Sequence, residues 1–124
     1  MALCLTAGAL SASLAIQFFT LAWMHSIEKL RWEEDWRVES GQLHLVAARI
    51  KGSGAGMEAP PGALLHDGFW HYRPAVAAMD RLTLAHSPYT SGYELCADGS
   101  CRPLTDLLPG IADSGTIVLA ACGR

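Results

Sequence analysis

Hydrophobic and charged positions alternate along the segment Leu30–Val38, which reads LRWEEDWRV. One side of this alternation carries Arg31, Glu33, Asp35 and Arg37, and the other side carries Leu30, Trp32, Trp36 and Val38. A period of two predicts a β-strand with one face toward water and one toward a core. A helix would bring the two tryptophans together but would scatter the charges, so we interpret the segment as a strand. Glu34 is the exception, because its carboxylate falls on the apolar side.

Short patterns of the same kind, bounded by turn residues, predict strands along most of the chain. The segment Phe18–Ser26 is apolar on both sides and is therefore expected to be an interior strand. The predicted strands are Leu3–Thr6, Leu10–Ile16, Phe18–Ser26, Leu30–Glu39, Gln42–Lys51, Phe69–Tyr72, Leu82–His86, Gly92–Ala97, Cys101–Leu104 and Thr116–Ala121.

The connecting segments complete this all-β pattern. Ser40-Gly41 predicts a turn, and the glycine- and proline-rich sequence GSGAGMEAPPG at residues 52–62 predicts a loop. Short helical turns are expected at Pro74–Asp80 and at Thr105–Leu108. Many short strands separated by turns are typical of a single antiparallel domain, so we predict one all-β domain over residues 1–124. It would be a β-sandwich or a flattened small barrel.

Composition narrows the class of function. The chain has 124 residues, of which 51% are hydrophobic and 17% charged, and this balance argues against disorder. The formal net charge is -3 and no run of basic residues occurs, so we do not expect nucleic-acid binding.

The first 24 residues contain no charged side chain, a pattern that would also suit a membrane span or an export signal. No Lys or Arg precedes the apolar run, as a signal peptide would require. Polar residues and glycine interrupt it, so we predict short strands broken at Gly8 and Gln17. The cytoplasm is therefore favoured as the location, with the periplasm as the alternative.

Two of the four cysteines flank a hairpin signal. Asp98-Gly99 predicts a two-residue turn that places Cys96 opposite Cys101. The pair could form a disulfide in an oxidising compartment, or remain as two ordinary thiols. Without a signal peptide we favour the thiols. Two cysteines are at most half of a zinc site, and no metal or other cofactor is expected.

The first candidate site is the polar turn after the third strand together with the misplaced acid. It consists of His25, Ser26, Glu28, Lys29 and Glu34. An unpaired carboxylate on an apolar face is costly, so Glu34 should have a partner such as His25, Arg49 or backbone N–H groups. Ser26 beside His25 suggests a nucleophile and its base, but no nucleophile-elbow motif surrounds this serine. A hydrogen bond that locks the hairpin is the simpler interpretation.

The second candidate site is the glycine-rich segment, consisting of Gly52, Ser53, Gly54, Ala55, Gly56 and Met57. Its backbone N–H groups could converge on an anion, and Lys51 precedes it. The segment matches neither the P-loop nor the dinucleotide-binding fingerprint. The structural alternative is that glycine allows two backbones to pass close together.

Several motifs resemble the bacterial family known as domain of unknown function 1850. They are Phe19-Thr20-Leu21, His25-Ser26-Ile27-Glu28-Lys29, the segment Trp32–Trp36, and Gly54-Ala55-Gly56 within Gly52–Met57. The family has no assigned activity. Some of its members resemble exported proteins encoded beside tripartite solute transporters, so the resemblance implies a transporter component as a partner.

Together these observations favour a small, non-enzymatic binding or accessory module linked to solute transport. Its ligand would be a small or anionic molecule bound at the two candidate sites. One alternative is a hydrolase that uses Ser26 and His25. Another is a structural subunit that docks on a larger membrane complex through the apolar N-terminal strand. The sequence predicts no particular oligomeric state.

Overall fold

A computed structural model describes residues 2–24, 30–52, 60–89 and 92–123 of the chain. Regular structure in these ranges is almost entirely β. The elements are β1 (Ala2–Ala7), β2 (Leu10–Leu14), β3 (Phe18–Met24), β4 (Arg31–Glu39), β5 (Gln42–Lys51), β6 (Leu64–His66), β7 (Phe69–Tyr72), β8 (Arg81–His86), β9 (Tyr93–Ala97), β10 (Ser100–Pro103), the short helix α1 (Leu104–Leu107) and β11 (Gly115–Cys122).

The strands form two antiparallel sheets. The smaller sheet has the order β2-β1-β11-β8, and the larger has the order β10-β9-β3-β4-β5-β7-β6. The two sheets remain separate, which confirms the sandwich rather than the flattened barrel. Strand β3 lies between β9 and β4, so the prediction of an interior strand is confirmed. Strand β4, which carries Glu34, is the middle strand of the larger sheet.

The inner faces of the two sheets share one hydrophobic core. Leu3, Leu5 and Leu119 of the smaller sheet are fully buried there. Four strands of the larger sheet, β9, β3, β4 and β5, and the helix that follows β10 contribute the buried residues Phe19, Leu21, Trp36, Val38, Leu43, Leu95 and Leu104.

The first 24 residues confirm the prediction of short strands, because β1, β2 and β3 are separated near Gly8 and Gln17. Leu3 and Leu5 place their side chains in the domain's own core. The apolar face of the N-terminal strand is therefore occupied within the sandwich. Within the described ranges, no helix has both the length and the apolar character needed to cross a membrane.

Three tight turns set the register of the larger sheet. Ser40-Gly41, Asp67-Gly68 and Asp98-Gly99 all have positive φ at both residues, as two-residue hairpin turns of the primed type require. The first and third were predicted. The second creates the hairpin of β6 and β7, and β6 was not predicted, since residues 64–66 were assigned to no strand.

The prediction of ordinary thiols at Cys96 and Cys101 is wrong. The two cysteines face each other across the β9–β10 hairpin, as the turn predicts, and they are joined by a disulfide. A second disulfide, which was not predicted, joins Cys4 of β1 to Cys122 of β11. It connects strands from opposite ends of the chain, so no local sequence pattern predicts it.

The prediction of a helical turn at Pro74–Asp80 is also wrong. The backbone of Met79 exchanges two hydrogen bonds with Leu43 of β5, at 2.8 and 3.0 Å. This bridge needs an extended chain, and tertiary pairing therefore overrides any local helical preference. The expected turn at Thr105–Leu108 corresponds to α1, displaced by one residue.

Candidate functional site

Glu34 lies on the inner face of the larger sheet, as the alternation predicts. Its neighbours in register are Leu21 of β3 and Ala48 of β5, and both are buried. The side chain of Glu34 is itself partly buried. Trp36 and Val38, on the same side of β4, belong to the core. The strand prediction is thus confirmed, and the acid is on the apolar side of the sheet.

The indole Nε1 of Trp36 donates a hydrogen bond to Glu34, with 3.3 Å between Nε1 and Oε1. Burial raises the pKa of Glu34 above its ordinary value, and this hydrogen bond offsets only part of the increase. The prediction of Arg49 as its partner is wrong, since Arg49 pairs in register with Glu33 on the opposite face. The available signal was the spacing: Trp36 is two residues beyond Glu34 and must share its face.

Aromatic side chains share the inner face with Glu34. The rings of Trp23 and Trp32 stack at 6.0 Å between centroids, and Tyr93 lies 5.5 Å from Trp23. Tyr72 of β7 lies two strands away from Glu34, in the direction opposite to Trp23 and Tyr93. Burial raises the pKa of both tyrosines, and the negative charge of Glu34 raises it further. Both phenols therefore lie within the electrostatic field of one carboxylate.

The outer face of the same sheet has the opposite character, because its acids are paired with arginines. Arg31 Nε lies 2.6 Å from Glu33 Oε2, and Arg49 Nε lies 2.5 Å from Glu33 Oε1. Burial alone would raise the pKa of Glu33, but the hydrogen bonds and charges of the two arginines outweigh it. The pKa of Glu33 is therefore lowered.

The network continues to both sides of Glu33. Arg49 Nη1 donates to Asp35 Oδ2 at 2.8 Å, and the hydroxyl of Thr20 donates to Asp35 Oδ1 at 2.7 Å. Arg31 Nη1 reaches Glu94 Oε1 at 3.1 Å. Two arginines therefore join three acids, and each acid of the network has an arginine partner.

A cavity of about 690 Å³ lies on this outer face. A register shift beside Asp35 leaves Val46 of β5 without a direct partner on β4, and Val46 and the exposed Phe18 line the cavity together with the Cys96–Cys101 hairpin. The cavity was not predicted, since a bulge has no clear sequence signal here. Three of its charged lining residues are engaged in ion pairs, Asp35 with Arg49 and Arg37 with Glu39. A ligand would have to compete with these pairs.

Most predicted site residues lie outside the described ranges. These are His25, Ser26, Glu28, Lys29, Ser53, Gly54, Ala55, Gly56 and Met57. The segment at 25–29 connects Met24 to Leu30, just before Arg31, and Met24 and Arg31 are paired in register at one end of the larger sheet. Trp23 and Trp32 form the next pair at the same end.

Gly52 is described, and its role there is structural. A Cβ atom at this position would lie 3.0 Å from the indole of Trp70, and the Gly52 N–H donates to the carbonyl of Gly68 at 2.8 Å. The absence of a side chain lets β5 pass close to the β6–β7 hairpin. This fits the interpretation of glycine as a close-packing residue at Gly52.

Metal binding finds no support in the described ranges, where no group of three or more His, Cys, Asp or Glu side chains is placed to hold an ion. The ionisable group that distinguishes the inner face is Glu34, and its chemistry is that of a carboxylate that accepts a hydrogen bond or attracts a positive charge.

Comparison with known proteins gives a family but no activity. No curated protein and no solved structure matched the chain. The model of the family described as domain of unknown function (DUF1850) matches residues 19–104. This region is more than half of the chain and contains nearly all of the larger sheet, including Glu34. The chain therefore belongs to the DUF1850 family.

Proposed function

We propose that the protein is a small, non-enzymatic binding module. Its ligand site would lie at the end of the larger sheet where Glu34 shares the inner face with Trp23, Trp32 and Tyr93. The observation that supports this most is the position of Glu34. A carboxylate that is partly buried on an apolar face destabilises the fold unless another group offsets its desolvation free energy. A bound ligand would provide such a group.

The two motifs singled out in the sequence fit this location by connectivity. The His25–Lys29 segment joins the ends of β3 and β4, and the Gly52–Met57 segment follows the end of β5. In the proposal the side chains of His25, Ser26, Glu28 and Lys29 contribute polar contacts. The residues Ser53, Gly54, Ala55, Gly56 and Met57 contribute backbone N–H groups that would hold an anionic part of the ligand, whereas the N–H of Gly52 already donates to Gly68.

An oxidising compartment, such as a periplasm, is part of the proposal. Disulfides persist in such compartments and are rare in reducing ones, and the two disulfides support this choice. It agrees with an accessory role beside a solute transporter, which the family resemblance suggests. Thiol titration of the protein from its native host should find no reactive thiol before reduction. All four cysteines should react after denaturation and reduction.

The binding function can be tested with a small-molecule screen that reads tryptophan fluorescence and thermal stabilisation. Trp23 and Trp32 would report binding directly. Hits should lose binding in Glu34→Gln and keep it in Glu33→Gln, which removes a carboxylate of the same size from the opposite face. If every hit binds the two variants equally, Glu34 is not part of a site and the proposal fails.

A further inference from the structure

We propose that the group recognised at Glu34 is an organic ammonium cation. The inference rests on the binding function proposed above and adds the chemical class of the ligand. Its basis is the composition of the inner face around Glu34, where one carboxylate is combined with aromatic rings.

Alternation assigns every charged residue of five adjacent strands to a face. The strands β9, β3, β4, β5 and β7 contain the basic residues Arg31, Arg37, His44, Arg49, Lys51 and His71, and His44 is in register with Arg37. All of these residues lie on the outer face. Arg31 and Arg49 form ion pairs with Glu33, and the Nζ of Lys51 lies 5.2 Å from the centroid of the Phe69 ring. Within these five strands the inner face thus carries an acid and no base.

The rings near Glu34 favour the same sign of charge. Aromatic faces are electron-rich and attract cations, most strongly for tryptophan. Trp23, Trp32 and Tyr93 form a contiguous cluster at 5.5–6.0 Å between centroids, beside the position of Glu34 on β4. An anion would be repelled by both the carboxylate and the ring faces. A neutral apolar ligand would leave the carboxylate charge without compensation.

The test uses choline and ethanolamine as ammonium probes, and 3,3-dimethyl-1-butanol as the uncharged isostere of choline. Binding is measured by tryptophan fluorescence and by NMR chemical shifts of the full chain. We expect saturable binding of at least one ammonium probe. The neutral isostere should bind at least tenfold more weakly. Glu34→Gln should weaken ammonium binding by at least tenfold, whereas Glu33→Gln should leave it within twofold.

Several results would overturn the inference. Equal binding of choline and its neutral isostere would indicate an apolar site. If no ammonium probe binds the wild-type chain, the inference fails as well. The inference also fails if an ammonium probe binds the Lys29→Gln variant but not the wild type. In that case Lys29, and not a ligand, would be the counterion of Glu34.

The screen separates this inference from the wider proposal. A neutral or anionic compound whose binding depends on Glu34 would support the binding module and overturn the ammonium assignment. If no compound of any charge depends on Glu34, both fail. Unfolding curves of Glu34→Gln and Glu33→Gln, measured in parallel, show that both variants are folded under the conditions of the assay.

Discussion

Glu33 and Glu34 are adjacent in the chain and chemically identical, yet they occupy opposite faces of one sheet. Glu33 lies between Arg31 and Arg49, which together lower its pKa. Glu34 faces the core side, accepts a hydrogen bond from Trp36, and has a raised pKa because of burial. A displacement of one residue along a strand therefore reverses the electrostatic environment of a carboxylate.

The comparison separates a surface that supports folding from a position that suits binding. The outer face satisfies its charges internally, so its ion pairs need no external partner. On the inner face, the carboxylate has an indole N–H as its described hydrogen-bond donor, and the nearby rings cannot neutralise its charge. An ionisable group whose pKa is shifted by burial is a frequent property of functional sites.

The largest expected effect is the loss of an inner-face aromatic side chain. Trp36→Ala removes a buried ring that stacks with Phe19 and donates to Glu34. The free energy of unfolding should fall by about 3–5 kcal/mol. The matched change on the outer face is Phe18→Ala, where the ring is 65% exposed, and it should cost about 0.5 kcal/mol or less. Urea unfolding of both variants measures the difference, and equal losses would contradict the assignment of faces.

A smaller effect is expected when the outer network is broken. Arg49→Met removes the hydrogen bonds to Glu33 and Asp35 while keeping an aliphatic chain over the sheet. Because the network is partly exposed, the loss should be about 1 kcal/mol. Arg37→Met, which breaks the more exposed pair with Glu39, should change stability by roughly 0.5 kcal/mol or less. A larger effect for Arg37 than for Arg49 would show that the network around Glu33 is not cooperative.

The subtlest effect is the pH dependence of stability. Glu33 has a lowered folded-state pKa, so its stabilisation is present above the ordinary carboxyl pKa and is lost as the pH falls through the folded value. Glu34 has a raised folded-state pKa, so its ionisation destabilises the fold as the pH rises from the ordinary value through the raised one. As the pH rises through the acid range to about 5, Glu33→Gln should therefore lose stability relative to wild type. As the pH rises above about 4, Glu34→Gln should gain stability relative to wild type.

This pH profile requires unfolding curves of three proteins at several pH values. The wild type is the reference. Each glutamine variant replaces one carboxylate with a neutral amide of the same size, and the two changes are at adjacent positions. If both variants shift in the same direction with pH, the two carboxylates have similar environments and the comparison is contradicted.

The sequence predicted the face on which Glu34 lies and two of the turns that order the sheet around it. The alternation around Glu34 predicted its face, and the turns Ser40-Gly41 and Asp98-Gly99 predicted two hairpins, because these signals are local. The turn Asp67-Gly68 carries the same signal, but β6 has only three residues just after the glycine- and proline-rich loop, and no strand was predicted there.

What could not be predicted depends on contacts between distant residues. The Cys4–Cys122 disulfide joins positions 118 residues apart, and the bridge between Leu43 and Met79 replaced an expected helical turn. Arg49 was named as a partner of Glu34, although its register with Glu33 decides otherwise. Register between β4 and β5 is fixed by their turn and core packing together, and the bulge beside Asp35 adds a shift that no local pattern records.

The central claim is that Glu33 and Glu34 have pKa values displaced in opposite directions. The most direct test is a ¹³C NMR titration of the two side-chain carboxyl carbons, assigned by comparison with Glu33→Gln and Glu34→Gln. The account predicts that Glu34 titrates above the ordinary glutamate value and Glu33 below it. A Glu34 pKa equal to or lower than that of Glu33 would contradict the account.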